Sequence, residues 1–200
     1  MSPTANEALQ VLRSTGVLLV LDTSGPGLPT ILHWGADLPD DAIRDLPLMA
    51  AGPVPHSAVD EPWPLTVLPT PADGWLGTPA YAAHRAGGAA APRWSATTSA
   101  VGDTGIRVSA TADGVRLEVD LALDEFGVLT VTQRVVNEGQ DILDLAAVRA
   151  FLPLPSRAAE VLVVAAPGDV GCPHLAVPEA ESRCASTEQE GGVVTGPTAP

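Results

Sequence analysis

From Val115 to Leu123 the apolar residues fall on every second position: Val115, Leu117, Val119, Leu121 and Leu123, with Arg116, Glu118 and Asp120 between them. A period of two places one set on a buried face and the other in water, which describes a half-buried antiparallel strand. Asp113-Gly114 ahead of it is a tight-turn pair and predicts a hairpin with Ile106–Ala110. Glu125-Phe126-Gly127 turns the chain into Val128–Val136, where Leu129, Val131 and Val135 are expected to point inward. Asn137-Glu138-Gly139-Gln140 turns it again, into a strand within Ile142–Leu152. The expectation is a four-stranded meander that forms one sheet of a sandwich.

The remainder of the chain agrees with an all-β class. Among 200 residues there are 20 Pro and 19 Gly, which interrupt long helices and favour short strands joined by turns. A second hairpin is expected from Val17–Leu21, a Ser24-Gly25-Pro26-Gly27 turn and Leu28–Leu32. Pro39–Pro92 reads as a long Pro-rich loop region, with one short helix at Pro39–Asp45 and a short strand at Leu65–Leu68. After about Val163 the alternation stops, and the Gly/Pro/Thr-rich ending reads as a disordered tail.

The formal net charge is −14, and all ten basic residues are Arg. Such a field repels phosphate backbones and anionic lipid, so neither nucleic acid nor membrane is an expected partner, whereas a neutral sugar is compatible with it. The N-terminal MSPTANEALQVLRS has no basic stretch followed by an apolar core, and Cys172 and Cys184 are the only cysteines. A cytoplasmic setting without a disulfide framework is the expectation. His33, His56, His84 and His174 show no metal-ligand spacing, and there is no phosphate-binding or nucleophile motif, so no metal or cofactor is expected.

Four segments carry a resemblance. Leu21–Leu38 reads LDTSGPGLPTILHWGADL, with Leu32-His33-Trp34-Gly35 on an early strand. Ala72–Gly87 reads ADGWLGTPAYAAHRAG, and Arg93-Trp94-Ser95 follows it. Phe151–Leu162 reads FLPLPSRAAEVL. Taken in order, these resemble the N-terminal β-sandwich domain of actinobacterial α-galactosidases of glycoside hydrolase family 36. The resemblance implies a large, supersandwich-like pair of sheets over residues 1–162, with 163–200 as a tail or aberrant C-terminus. It also implies a non-catalytic role, because retaining glycosidases need two closely spaced carboxyl groups and the family carries both in a barrel that does not map onto this chain. Truncation before that barrel is the expectation. The acidic pairs Asp40-Asp41 and Glu179/Glu181 read as solvated.

In the resembled enzymes, loops of this domain approach the active site of a neighbouring subunit. That implies an α-galactoside partner, homo-oligomerisation through the domain, and a supporting role for Trp75, His84 and Arg85. Trp rings stack well on sugar faces, and Trp75 lies in a polar loop between Gly74 and Gly77. Trp34 is a further substrate-binding candidate, although packing is its first reading, as it is for Trp63, Trp94 and His33. The alternatives to an enzyme's accessory domain are a free-standing carbohydrate-binding module and a structural interaction domain without sugar affinity. The loop at Gly74–Arg85 separates them: a concave face favours sugar, and a flat apolar patch favours protein.

Overall fold

The computed structural model describes residues 8–50, 64–88 and 91–153, together with the backbone of 160–165, 181–187 and 193–195. Residues 8–153 belong to a first compact unit, Met1–Pro153; the second is Leu154–Pro200. The first contains β1 (Leu9–Ser14), β2 (Val17–Asp22), β3 (Thr30–Ala36), α1 (Asp40–Ala50), β4 (Tyr81–His84), β5 (Ser95–Val101), β6 (Gly105–Ala112), β7 (Val115–Leu123), β8 (Leu129–Asn137) and β9 (Asp144–Val148). Three antiparallel sheets result: β1-β2-β3, β5-β6-β7-β8, and the pair β4-β9.

The alternation of β7 is borne out. Val115, Leu117, Val119, Leu121 and Leu123 are all buried, and they meet Ile106, Val108 and Ala110 of β6 in one cluster. Leu12, Leu19, Leu21 and Ile31 join that cluster from the three-stranded sheet, so this core lies between two sheets. Strand β2 is buried on both faces: Leu19 and Leu21 enter the inter-sheet core, while Leu18 and Val20 meet Ile43 and Leu46 of α1. Helix, three-stranded sheet and four-stranded sheet therefore form successive layers.

Several sequence expectations need correction in detail. The meander's fourth strand is β5, which pairs with β6; β9 leaves the sheet and pairs with β4. The long turn after β8 causes this: Asn137 Nδ2 donates to the Asp141 carbonyl, and the chain is carried past β8 before extending again at Asp144. The early hairpin gains an outer strand, β1, joined to β2 through Thr15 and Gly16 at φ 44° and 74°. Two consecutive positive φ values make the primed turn whose twist matches a hairpin. The helix begins as expected, with Asp40 and Asp41 in its first turn, but it runs through Pro47 to Ala50. Leu65–Leu68 is a single bridge, Thr30 to Thr66, rather than a strand.

A bulge in β3 matters for the Leu32-His33-Trp34 segment. Ile31 pairs with Leu21 and His33 with Val20, so Leu32 is the extra residue. The bulge lets Ile31 and Trp34 both pack toward the inter-sheet core, although strict alternation would part them.

The second unit contains β10 (Glu160–Ala165), β11 (Glu181–Thr187) and β12 (Val193–Thr195). β10 pairs parallel with β11, and β11 antiparallel with β12. Strand segments therefore occur within the stretch read as a tail. Among the described residues no helix is long and apolar enough to cross a membrane.

Candidate functional site

A groove of about 380 Å³ opens beside the end of β4, in the first unit. Its floor and walls come from three places. Tyr81, Ala83 and Arg85 come from β4 and its continuation, Ala112, Asp113 and Val115 from the β6–β7 turn, and Asp141 and Leu143 from the connection between β8 and β9.

Arg85 holds these elements together. Its Nη1 donates to the Asp113 carbonyl at 2.6 Å, and its Nη2 donates to Asn137 Oδ1 at 2.5 Å. Both neighbouring turns have a glycine where the guanidinium passes: a Cβ on Gly139 would lie 2.6 Å from Nη1, and one on Gly114 would lie 3.1 Å from it. Gly114 also follows Asp113 in a primed turn, at φ 72° and 48° respectively, so the same glycine serves the turn and the close approach. Arg85 Nε is buried and has no hydrogen-bond partner among the described residues.

Tyr81, the sole tyrosine, is 4% exposed and packs edge-on against Trp94, with ring centroids 5.3 Å apart and planes at 87°. Its hydroxyl donates no hydrogen bond to a described residue. Burial pushes its pKa above the usual phenol value; Arg85 opposes this and the Asp113 charge adds to it. The group is therefore a neutral O–H donor at physiological pH.

Of the four residues picked out in the sequence, Arg85 lines this groove, while Trp75, His84 and Trp34 do not. His84 is exposed at the end of β4, with Nδ1 4.0 Å from Asp144 Oδ2 on the paired strand. Trp75 is half-buried in a self-packed loop. Its indole N–H donates to the Thr78 carbonyl at 2.9 Å, its ring lies where a Cβ on Gly77 would go, and Phe151 meets it at 6.0 Å and 61°. Trp34 packs against the inter-sheet core from β3. His33 Nε2 lies 2.9 Å from the Ala36 carbonyl, so the proton sits on Nε2. Trp94 is buried in the core, whereas Trp63 lies outside the described residues. Tyr81, Asp113 and Asp141 had no signal as a group in the sequence beyond the Asp113-Gly114 turn pair.

The outer face of the four-stranded sheet is charged and internally paired. Arg107 and Asp120 form a two-pronged pair at 2.6 and 2.9 Å, and Arg116 bridges Glu118 and Glu138. Among the described residues no cluster of three or more His, Cys, Asp or Glu side chains could hold a metal ion.

Comparisons with known proteins agree with this architecture. The family model described as the glycosyl hydrolase family 36 N-terminal domain matches residues 27–165. That interval begins in the turn before β3 and ends with β10, close to the Leu162 where the family-like segments stop. No curated protein matches the chain in sequence. Two solved structures match its fold, both of substituted forms of the family 36 α-galactosidase AgaA from Geobacillus stearothermophilus. One is bound to 1-deoxygalactonojirimycin and the other to raffinose. Each aligns with a TM-score of 0.57 at 15% identity, over 71% of this chain and 24% of the enzyme. The chain thus spans about a quarter of the length of those enzymes, and at that identity the likeness speaks for the fold alone. The family match extends over more than half of the sequence, on strands that form the expected sandwich, and so the chain belongs to glycosyl hydrolase family 36 as an N-terminal domain.

Proposed function

We propose that this chain acts as the non-catalytic N-terminal domain of an α-galactosidase, supporting assembly and shaping the rim of a pocket that a catalytic domain supplies. The observation that carries the reading is the family match over residues 27–165, the stretch that builds most of the sandwich. The fold likeness to α-galactosidases, of which this chain covers 24%, supports the same division of labour. Association of copies through this domain is part of the proposal. So is a cytoplasmic setting, supported by the use of two cysteines in 200 residues.

Hydrolysis of an α-galactoside by the retaining route needs a nucleophilic carboxylate and a second carboxyl group that protonates the leaving oxygen. The proposal assigns neither to these residues. The purified chain, incubated with p-nitrophenyl α-galactoside, is therefore expected to release nitrophenolate no faster than buffer. Turnover that disappears on substitution of one of its own aspartates would overturn the non-catalytic assignment.

A further inference from the structure

We infer that the open edge of β5 pairs with the same edge of a second copy of this chain, joining two four-stranded sheets into one. The inference rests on the association of copies proposed above and names its seam. β5 ends the order β5-β6-β7-β8, and its residues, SATTSAV, carry no charge and no proline and run along β6 without a bulge. Natural sheets guard a free edge with charges, prolines, bulges or a covering segment, because unpaired N–H and C=O groups are a template for another strand. The other edges of the two packed sheets are guarded. β1 carries Arg13, and β8 carries Arg134 and is tied through the Gln133 amide to the Arg149 carbonyl. β3 is bulged and is met by Leu65–Val67.

The hydrogen-bond parity of the sheet selects the register. Leu123 N–H donates to the Thr104 carbonyl, so Leu121, Val119 and Leu117 also address β6, in bonded pairs with Ile106, Val108 and Ala110. The alternate residues of β6 then address β5, Ser109 opposite Thr97 and Arg107 opposite Ser99. Ala96, Thr98 and Ala100 are left pointing out of the sheet, and Ala96 N–H does reach outside it, to the Pro26 carbonyl at 3.3 Å. Among the described residues no backbone group meets the outward N–H and C=O of Thr98 and Ala100. Antiparallel pairing about a two-fold axis at Ser99 sets Thr98 of each copy opposite Ala100 of the other, so every one of those groups is satisfied. The same register places Thr97 opposite Val101 of the second copy. Val101 is 47% exposed and would gain a β-branched neighbour.

Charge points to a second copy as the occupant. Chains at −14 repel each other, and they approach at least cost where neither presents a charge. SATTSAV offers no charge by which an unlike strand would be selected, while its free groups match their own copies across the axis. The guarded β8 edges at the two ends of the joined sheet stop the assembly at a dimer.

Sedimentation velocity of the full chain over a range of concentrations, with amide deuterium exchange on the same samples, tests the seam. A reversible dimer is expected, favoured by salt because screening weakens the repulsion between the bodies and a neutral seam has no ion pairs to lose. The Thr98 and Ala100 amides should exchange more slowly as the dimer fills. Ala100→Pro removes an outward N–H and none of the ladder to β6, a position where an edge strand tolerates proline. It should raise the dimer dissociation constant on the order of tenfold or more, with an unchanged circular dichroism spectrum. Val101→Glu, at an exposed side chain, should also weaken the dimer and tests the seam without a backbone change. A dimer that survives both variants, or whose protection maps to other strands, overturns the β5 seam and leaves the association of copies standing. A chain that stays monomeric at every concentration and salt overturns both. Protection of Thr98 and Ala100 that does not vary with concentration would show the edge covered within one chain, and would also overturn the seam.

Discussion

Between the sheets, β6 and β7 present Ile106, Val108, Leu117, Val119 and Leu121 to Leu19 and Leu21 of β2, and none of these side chains is more than 2% exposed. At the end of β4 two turns, Asp113-Gly114 and Asn137–Gly139, are instead joined to one strand by a single guanidinium. The first region is held by non-directional burial spread over many contacts, and the second by two directed bonds through one residue. Loss of one contact leaves most of a dispersed core in place but costs the removed group's full burial and a cavity. Loss of a directed clamp leaves partners that water can reach, so its cost is smaller and local. The fold thus places dispersed burial between the sheets and a single directed tie where three connections converge.

The strongest way to break this contrast is Leu117→Ala. Leu117 is fully buried on the central strand β7, and truncation there should cost about 3–4 kcal/mol, read as a lower urea midpoint with an unchanged slope. A loss under about 1 kcal/mol would mean that the two sheets are not closely packed at this point.

The clamp is tested by a cycle. Gly139→Ala puts a methyl group 2.6 Å from Arg85 Nη1, at the mobile end of a long side chain, and Gly139 has no positive φ to strain. The guanidinium must move and its bonds to Asp113 and Asn137 weaken, for a cost of about 1–2 kcal/mol. Arg85→Ala should cost a similar amount. In an Arg85→Ala background the Gly139 substitution should then be nearly neutral, because the atom it collides with is gone. Additive costs in the double variant would show that Gly139 is constrained by something other than Arg85.

The two regions also differ in how far they can be read from the residues alone. Alternation in Val115–Leu123 and turn pairs such as Asp113-Gly114 are local, so β6, β7 and β8 were legible together with the sandwich class. Strand β5, SATTSAV, has polar residues on both of its faces, and its place in the sheet comes from pairing with β6 rather than from its own pattern. The exchange of β9 from β8 to β4 depends on the Asn137–Leu143 connection, whose path is fixed by tertiary hydrogen bonds. Arg85 is marked in the sequence by the Ala-His-Arg that resembles a family segment, but its job as a tie between two glycine turns depends on tertiary contacts. Tyr81 is hidden for a related reason: its burial edge-on against Trp94 is a property of the folded neighbourhood and leaves no trace in a one-letter string.

The smallest expected effect concerns the outer face of β7, whose charges lie on the same strand as Leu117. Arg107 donates two hydrogen bonds to Asp120 and holds its carboxyl below the usual value, with slight burial opposing. A depressed carboxyl pKa stabilises the folded chain at pH values above the unfolded carboxyl's, near 3.9, and that contribution fades as pH falls through the depressed value. Both side chains are about half in water, at 51% and 40% exposure, so solvent and salt screen the pair strongly. Arg107→Ala should therefore lower the urea midpoint only slightly at neutral pH, less in high salt, and by a shrinking amount as acid protonates Asp120. A deficit that persists undiminished in acid would assign the role of Arg107 to its methylene stem packing on the sheet. The outer face would then resemble the core on the other side of β7 more closely than its charges suggest.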